Sequence, residues 1–396
     1  MHIQQTPARL LAELSAAPGT LHTRSELCAR LWPAGVHVDF ENNLNNAIAR
    51  LRQALGVEGS SYIETIPQRG YRFTGGVHRE STESPLAFAE ALRKGRALRN
   101  RTTVRDLWRA VEYFRQAIEA EPDRAEAYAQ ISDAYVLLGD DVLGGLPGPE
   151  ALPRAAEFAR RALEIDPRCA AAHTTLAMVA WRLNWDWRVA EERFREAVSL
   201  DPRNADTFQY YSWLLQAAGR SREAREAMLS ALTLDSTSSF ISTNVGWMLY
   251  LDRRYSEALS QLRKTLEMDP SYALARLPLG YALQQTGRVN EAVAHFRFGL
   301  ARSGDTYYKA ALGQALAWAG FKGQASAMLA DPEPGSAYSR AMIHAALGHE
   351  EETVQSLESA AAEHSSAVPY LKVDPIFDCL GRNRRYQEIA HRVGLA

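Results

Sequence analysis

The 396-residue sequence predicts a mainly α-helical chain in two parts, three helices with a β-hairpin followed by a solenoid of paired helices. Two observations carry that prediction. Helix stops recur as Glu121-Pro122, Asp166-Pro167, Asp201-Pro202, Asp235-Ser236 and Asp269-Pro270, with the acidic residues 45, 35, 34 and 34 positions apart. Up to about Val77 that period is absent, and two short runs rich in β-branched and aromatic residues stand in its place. The expected boundaries are a first domain over 1–77, a linker over 78–85, a solenoid of about seven helix pairs over 86–375 and a capping helix over 376–396.

Between the stops, apolar residues recur at i, i+3, i+4 and i+7, the stripe of an amphipathic helix. The first spacing is long because Asp140–Pro149 (DDVLGGLPGP) inserts a Gly/Pro-rich stretch. Each unit breaks near its middle, at Gly219-Arg220, Asp252-Arg253-Arg254, Gly287-Arg288 and Gly320-Phe321, so each is two antiparallel helices. Small residues Ala190, Ala224, Ala258, Ala292 and Ala325 open the second helices. Four positions on come Phe194, Met228, Leu262, Phe296 and Leu329, and Gly246, Gly280 and Gly313 sit mid-way in first helices. In this pattern the text from roughly Leu86 to Ala396 resembles the tetratricopeptide repeat (TPR) family, with a weaker unit around Gly348 and Ala360. It departs from the family at Trp185-Asp186-Trp187, where the tryptophans are expected to pack the turn.

A repeat cannot bury its own apolar face, so stacked neighbours build the core and leave a concave surface. The resemblance implies that this surface is lined by Arg182; by Gln209, Trp213 and Gln216; by Thr243, Trp247 and Tyr250; by Leu277, Tyr281 and Gln284; and by Gln314. Aromatic residues beside amides suit a protein or peptide partner or a small polar ligand. The competing reading is that Trp213, Trp247 and Tyr281 seal adjacent helices together.

In the first part, Thr6–Ala17 reads as an amphipathic helix carrying Leu10, Leu11 and Leu14. Thr23 with Glu26 has the capping-box form and opens a second helix to Leu31. A third runs from Asp39-Phe40-Glu41 to Leu55. Tyr62–Ile66 and Tyr71–Thr74 then read as strands joined by the turn Pro67-Gln68-Arg69-Gly70. Three helices and a hairpin make a winged helix-turn-helix. The blocks Arg24-Ser25-Glu26-Leu27…Leu31-Trp32, Leu44-Asn45-x-x-Ile48-x-Arg50-Leu51-Arg52-x-x-Leu55 and Tyr62-Ile63-Glu64-Thr65-Ile66…Arg69-Gly70-Tyr71-Arg72-Phe73 resemble the OmpR-type DNA-binding domain of bacterial transcriptional regulators. That family opens on a small antiparallel sheet, of which His2-Ile3-Gln4 alone is recognisable, so the sheet reads as truncated.

On helix 41–55, Leu44, Ile48, Leu51 and Leu55 fall on one side, while Asn42, Asn46, Ala49, Arg50 and Gln53 fall opposite and Asn43 at the edge. A recognition helix needs such a polar outward stripe to enter the major groove. Asn pairs bidentately with adenine and Arg with guanine, and Arg50 is either a guanine reader or a phosphate clamp. On the wing 62–74, Arg69 reaches a phosphate or the minor groove, Thr65 and Gln68 the backbone, and Arg72 either DNA or a structural ion pair.

Charge sets a limit. The chain carries 45 basic and 47 acidic residues, net -2, and residues 1–80 hold eight Arg against seven acids. Seven basic residues between Arg93 and Arg109, against Asp106, offer either further phosphate contacts or a solvated helix face. Cys28, Cys169 and Cys379 lie too far apart for a disulfide framework or zinc site. No run approaches the roughly 18 apolar residues of a membrane helix, and the start lacks the form of a signal peptide. A cytoplasmic protein without membrane contact, metal or cofactor is expected. No GxxxxGK[ST], GxGxxG, HExxH or GxSxG occurs, so an enzyme is not expected. The leading expectation is a transcriptional regulator that binds double-stranded DNA through helix 41–55 and wing 62–74. Its array receives a protein, peptide or small ligand or drives self-association, and a homodimer on paired half-sites is one expected assembly. The alternative is a TPR scaffold with a degenerate winged helix that does not bind DNA.

Overall fold

The structure, a computed structural model, describes residues 5–15, 19–31, 40–55, 59–75, 84–303, 306–330 and 336–395. His2-Ile3-Gln4, Trp32, Asp39, Pro18 and most of the expected linker 78–85 lie outside the described residues. The last two linker positions, Ser84 and Pro85, already belong to a helix, as suits a proline whose missing N–H would be unpaired in a first turn anyway. The chain separates into two compact units, residues 1–82 and 83–396.

In the first unit the order is α1 (Gln5–Ser15), β1 (Leu21–Thr23), α2 (Arg24–Leu31), α3 (Phe40–Ala54), α4 (Gly59–Tyr62), β2 (Ile63–Ile66) and β3 (Gly70–Phe73). Leu10 and Leu14 of α1, Leu27 and Leu31 of α2, and Leu44, Ile48 and Leu51 of α3 pack with Ile63, Tyr71 and Phe73 into one buried core. The expected hairpin is present, but the sheet has a third strand: the order is β1-β3-β2, antiparallel throughout. Three residues of β1 show no period, and pairing with β3 is what makes them a strand. That pairing explains Gly70. A Cβ there would lie 2.0 Å from the carbonyl oxygen of His22, so the two backbones can meet only at glycine.

The capping box forms as expected. The Thr23 N–H donates to the Glu26 carboxylate at 2.9 Å, and the Glu26 N–H donates to the Thr23 hydroxyl oxygen at 3.3 Å. Those bonds from Thr23 hold the Glu26 carboxyl below its ordinary range.

The second unit is a solenoid. Among the described residues its pairs are 84–99/104–120, 125–138/148–165, 170–182/187–200, 205–217/221–234, 239–251/255–268, 276–285/289–303, 306–318/322–329 and 337–347/350–362. That makes eight, against about seven expected, and the weakly marked unit around Gly348 is a complete pair. The expected capping helix over 376–396 is instead a 3-10 turn, Pro375–Leu380, and a helix, Arg384–Arg392. Asn383 starts the latter by accepting from the Tyr386 N–H, so the chain breaks where the sequence reading ran a helix through.

The small-residue positions are tight. A Cβ on Gly280 would sit 2.3 Å from the Phe296 ring, and one on Gly246 2.4 Å from Leu262. At the turns between paired helices Gly219, Gly287 and Gly320 take positive φ, and Trp185 takes the same left-handed region at φ 53°. A bulky residue there costs about 1–2 kcal/mol. Trp185 offsets it by stacking on His364 with ring centres 4.5 Å apart.

That stack belongs to a larger feature. The segment after the last pair folds back across earlier repeats. The Trp187 indole N–H donates to the Val393 carbonyl at 2.7 Å, and the Asp141 N–H to Ser366 Oγ at 3.0 Å. The Ser365 hydroxyl donates to the Asp141 carboxylate. Arg253 donates to the Val373 carbonyl at 3.1 Å and pairs with Asp378 at 2.6 Å.

Candidate functional site

The first candidate surface is α3 with the β2–β3 wing. Leu44, Ala47, Ile48 and Leu51 are buried, which fixes the rotation of α3. Asn42, Asn46, Ala49, Arg50 and Gln53 are exposed on the opposite side, and Asn43 is half-buried, as the wheel requires. Gln68 and Arg69 are exposed at the wing turn, where Gln68 takes φ 58°.

The remaining polar residues hold the frame. Asn45 is the hub: its Oδ1 accepts from Arg24 Nη2 at 2.6 Å and from the Tyr71 hydroxyl at 3.0 Å. Arg24 also donates to that hydroxyl at 2.9 Å and lies 5.3 Å from the centre of the Tyr71 ring. Helices α2 and α3 and strand β3 are thereby joined through three side chains. Arg52 donates to the Ile63 carbonyl at 2.5 Å and to Thr65 Oγ1 at 2.7 Å, tying α3 to β2. Thr65 is exposed, but its oxygen serves Arg52. Arg72 faces Glu64 across the β2–β3 ladder at 3.6 Å, an ion pair of the kind cross-strand neighbours make. Arg24, Asn45 and Tyr71 stand among the motif residues in the sequence, which carries no sign of the contacts that join them. No spacing rule links positions 24, 45 and 71.

The basic run of the first array helices is mostly committed to its own unit. Arg99 is 6% exposed, its Nε 2.6 Å from Asp133 and its Nη2 3.1 Å from Asp206. Lys94 pairs with Glu90, Arg96 with Glu126, and Arg101 and Arg109 with Asp106.

The second candidate site lies within the array. Of the residues expected on the concave face, Arg182, Trp213, Gln216, Thr243, Trp247 and Leu277 line one pocket, its mouth open to solvent. Gln209, Tyr250, Tyr281, Gln284 and Gln314 are buried at 4% exposure or less and do not line it. Tyr281 stacks on Tyr250 with ring centres 5.7 Å apart and meets Trp247 edge-on at 5.8 Å, so it joins neighbouring repeats. The opposite wall comes from the returning C-terminal segment, through Ser366, Ala367, Tyr370 and Asp374. That wall was not legible in the sequence, because nothing periodic links residues 366–374 to the first helices.

Charge in the pocket is uneven. Arg182 is paired with Asp140 at 2.9 Å and lies 5.3 Å from the Trp213 ring centre. Asp374 accepts from the Tyr338 hydroxyl at 3.0 Å and from the Ile376 N–H at 3.1 Å. Among the described residues no cation bonds it. Burial pushes its carboxyl up to about 6, against an ordinary value of about 3.9. The folded chain therefore holds this proton more tightly than the unfolded one. The contribution favours folding below about pH 4 and is lost as the pH rises through 6, an effect of at most about 3 kcal/mol. Urea midpoints at pH 5 and 7.5 should show the native chain losing more stability toward pH 7.5 than Asp374→Asn does. Equal losses in the two chains would contradict this assignment.

A domain of three longer helices, a one-turn fourth and a β-wing, joined to a solenoid of helix pairs, defines a winged-helix protein carrying a repeat array. The comparisons agree. Residues 1–73 match the family model described as "Transcriptional regulatory protein, C terminal", and residues 249–318 match a tetratricopeptide repeat model. The first unit is thus an OmpR-type winged helix and the second a TPR array. The chain is similar to the type IV pilus assembly protein PilF of Pseudomonas aeruginosa, 37% identical over 97 residues, covering 24% of this chain and 36% of PilF. It is also similar to the transcriptional regulator HilA of Salmonella typhimurium, 25% identical over 135 residues, covering 34% of this chain and 24% of HilA. The chain thus spans about a third and a quarter of the lengths of these relatives. Among solved structures, the APC/C hetero-tetramer Cut9-Hcn1 matches with a TM-score of 0.53 at 14% identity, over 93% of this chain and 61% of that one, a likeness of fold alone. Among the described residues no helix is long and apolar enough to cross a membrane.

Proposed function

We propose that the chain is a DNA-binding transcriptional regulator whose first unit reads double-stranded DNA and whose array receives the signal. The observation that carries the reading is α3, with Asn42, Asn46, Arg50 and Gln53 exposed along one side of a helix whose other side is locked in the core. The match of residues 1–73 to a transcriptional-regulator family supports it. In this reading α3 lies in the major groove, Arg50 contacts a guanine or a phosphate, Asn43 sits at the groove edge, and Gln68 and Arg69 extend the contact from the wing. Thr65 and Arg72 serve the interface through the wing's shape, since Arg52 and Glu64 engage them. The array binds a protein, a peptide or a small ligand, or assembles two copies on paired half-sites.

One observation favours a scaffold that does not bind DNA: with Arg24, Arg30, Arg52 and Arg72 engaged inside the unit, little positive charge remains on the proposed face. The test is fluorescence anisotropy of the full chain on the DNA upstream of its own gene, at several salt concentrations. Native protein should prefer that DNA over a scrambled duplex. The double variant Arg50→Ala/Arg69→Ala should bind about ten- to a hundredfold more weakly and, for each phosphate contact removed, lose about 0.9 from the slope of log K against log salt. Folded protein that binds neither duplex would leave the scaffold.

A further inference from the structure

The array pocket carries unused acceptor capacity. Several of its donors are spent inward: Ser212 on the Gln209 carbonyl, Thr243 on Ser239, Asn244 on Phe240, Gln216 Nε2 on Asp252 and Tyr338 on Asp374. Two of its acceptors are not fully used. Gln216 is 3% exposed and its Oε1 has no partner. Asp374 is 4% exposed and uses one acceptor site on each oxygen, where a carboxylate offers about four in all. Arg182 Nε is a leftover donor, but its guanidinium charge is already met by Asp140.

The electrostatics point the same way. Arg253, the cation whose field reaches Asp374, bonds Asp378 and the carbonyls of Leu251 and Val373 instead. A buried carboxylate without a cation is costly, and this one accepts from Tyr338 and shares its pocket with Trp213, Trp247 and Tyr370, aromatic side chains of the kind that attract cations to their faces. The site asks for a donor that is positive and carries an apolar body.

We propose that this pocket binds a small organic cation, a primary amine with an aromatic or alkyl body, with its ammonium on Asp374 and its body among the aromatic side chains of the same pocket. The proposal rests on reading the array as the part that receives the signal, and it replaces a peptide in an open groove by a small ligand enclosed between the repeats and their C-terminal segment.

The test uses the full chain without DNA, so its result is independent of whether the first unit binds a promoter. Phenethylamine and hexylamine are titrated while tryptophan fluorescence is followed, since Trp213 and Trp247 line the pocket. Their neutral counterparts, 2-phenylethanol and 1-hexanol, are titrated alongside. At least one amine should bind saturably, and its alcohol at least about tenfold more weakly. Asp374→Asn keeps an oxygen that can cap Ile376 and puts an amide nitrogen that can donate to the Tyr338 hydroxyl in place of the second oxygen, and should lose about tenfold or more for the amine and nothing for the alcohol. Alcohols binding as well as amines, an Asp374→Asn chain that binds amines undiminished, or no saturable binding by either amine would each overturn the proposal. The comparison of amine with alcohol on the native chain decides even if the variant fails to fold. Anisotropy on DNA with the amine present then asks, separately, whether occupancy alters DNA binding.

Discussion

Arg99→Met should destabilise the TPR unit by about 3–5 kcal/mol, the usual cost of removing one partner from a buried ionic network. The guanidinium donates to Asp133 at 2.6 Å and to the Tyr210 hydroxyl at 3.0 Å, and pairs with Asp206 at 3.1 Å, while Tyr210 donates to Asp133 at 2.7 Å. Removing it leaves two carboxylates facing each other with no counter-charge. Burial already raises the Asp206 carboxyl and the Tyr210 hydroxyl above their ordinary values, and without Arg99, which favours its charged form, the Asp206 carboxyl should hold its proton more tightly. The loss should accordingly be larger at pH 8 than at pH 5. Arg99→Lys should recover part of the stability, since a point charge cannot reproduce the fork of donors. Urea unfolding of the three chains measures all of this, and a loss below about 1 kcal/mol in Arg99→Met would show that the guanidinium behaves as a surface group.

Gly280→Val is expected to cost about 3 kcal/mol, at the upper end of overpacking penalties, because even its Cβ would stand 2.3 Å from the buried ring of Phe296. Phe296→Ala should cost about 3–5 kcal/mol by opening a cavity between the paired helices. The double variant is the informative one. The valine enters space that the ring has vacated, so its loss should fall below the sum of the two single losses by about 1 kcal/mol or more. Additive losses would mean that the two sites do not share that space.

These two sites also mark what the sequence made legible. Gly280 and Phe296 stood out because the repeat places small against large at a fixed interval, and the fold preserves that interval pair after pair. The winged helix was legible for a similar reason: Leu44, Ile48 and Leu51 declare an inward face, and Thr23 with Glu26 declares a helix start. Arg99 was not legible. In a run of seven basic residues it looked like its neighbours, and its partners Asp133, Asp206 and Tyr210 come from other repeats. Strand β1 was missed because Leu21–Thr23 is a strand only opposite Gly70–Arg72. The concave-face residues were identified as a set, yet their division into pocket-lining Trp213, Gln216 and Trp247 and buried Tyr250, Tyr281 and Gln284 depends on the returning C-terminal segment.

That segment changes how the array holds together. An open row of repeats is stabilised by nearest neighbours, so either end can fray while the rest stands. Here bonds such as Trp187 to Val393 and Asp141 to Ser366 join positions 206 and 225 apart. Tying such distant points costs little more chain entropy than tying near ones, because the cost grows only with the logarithm of the span. The second and third helix pairs therefore melt with the C-terminus rather than after it. Such a unit loses the piecemeal breathing of a linear stack and unfolds as a single cooperative body, slowly assembled because its closing contacts are remote.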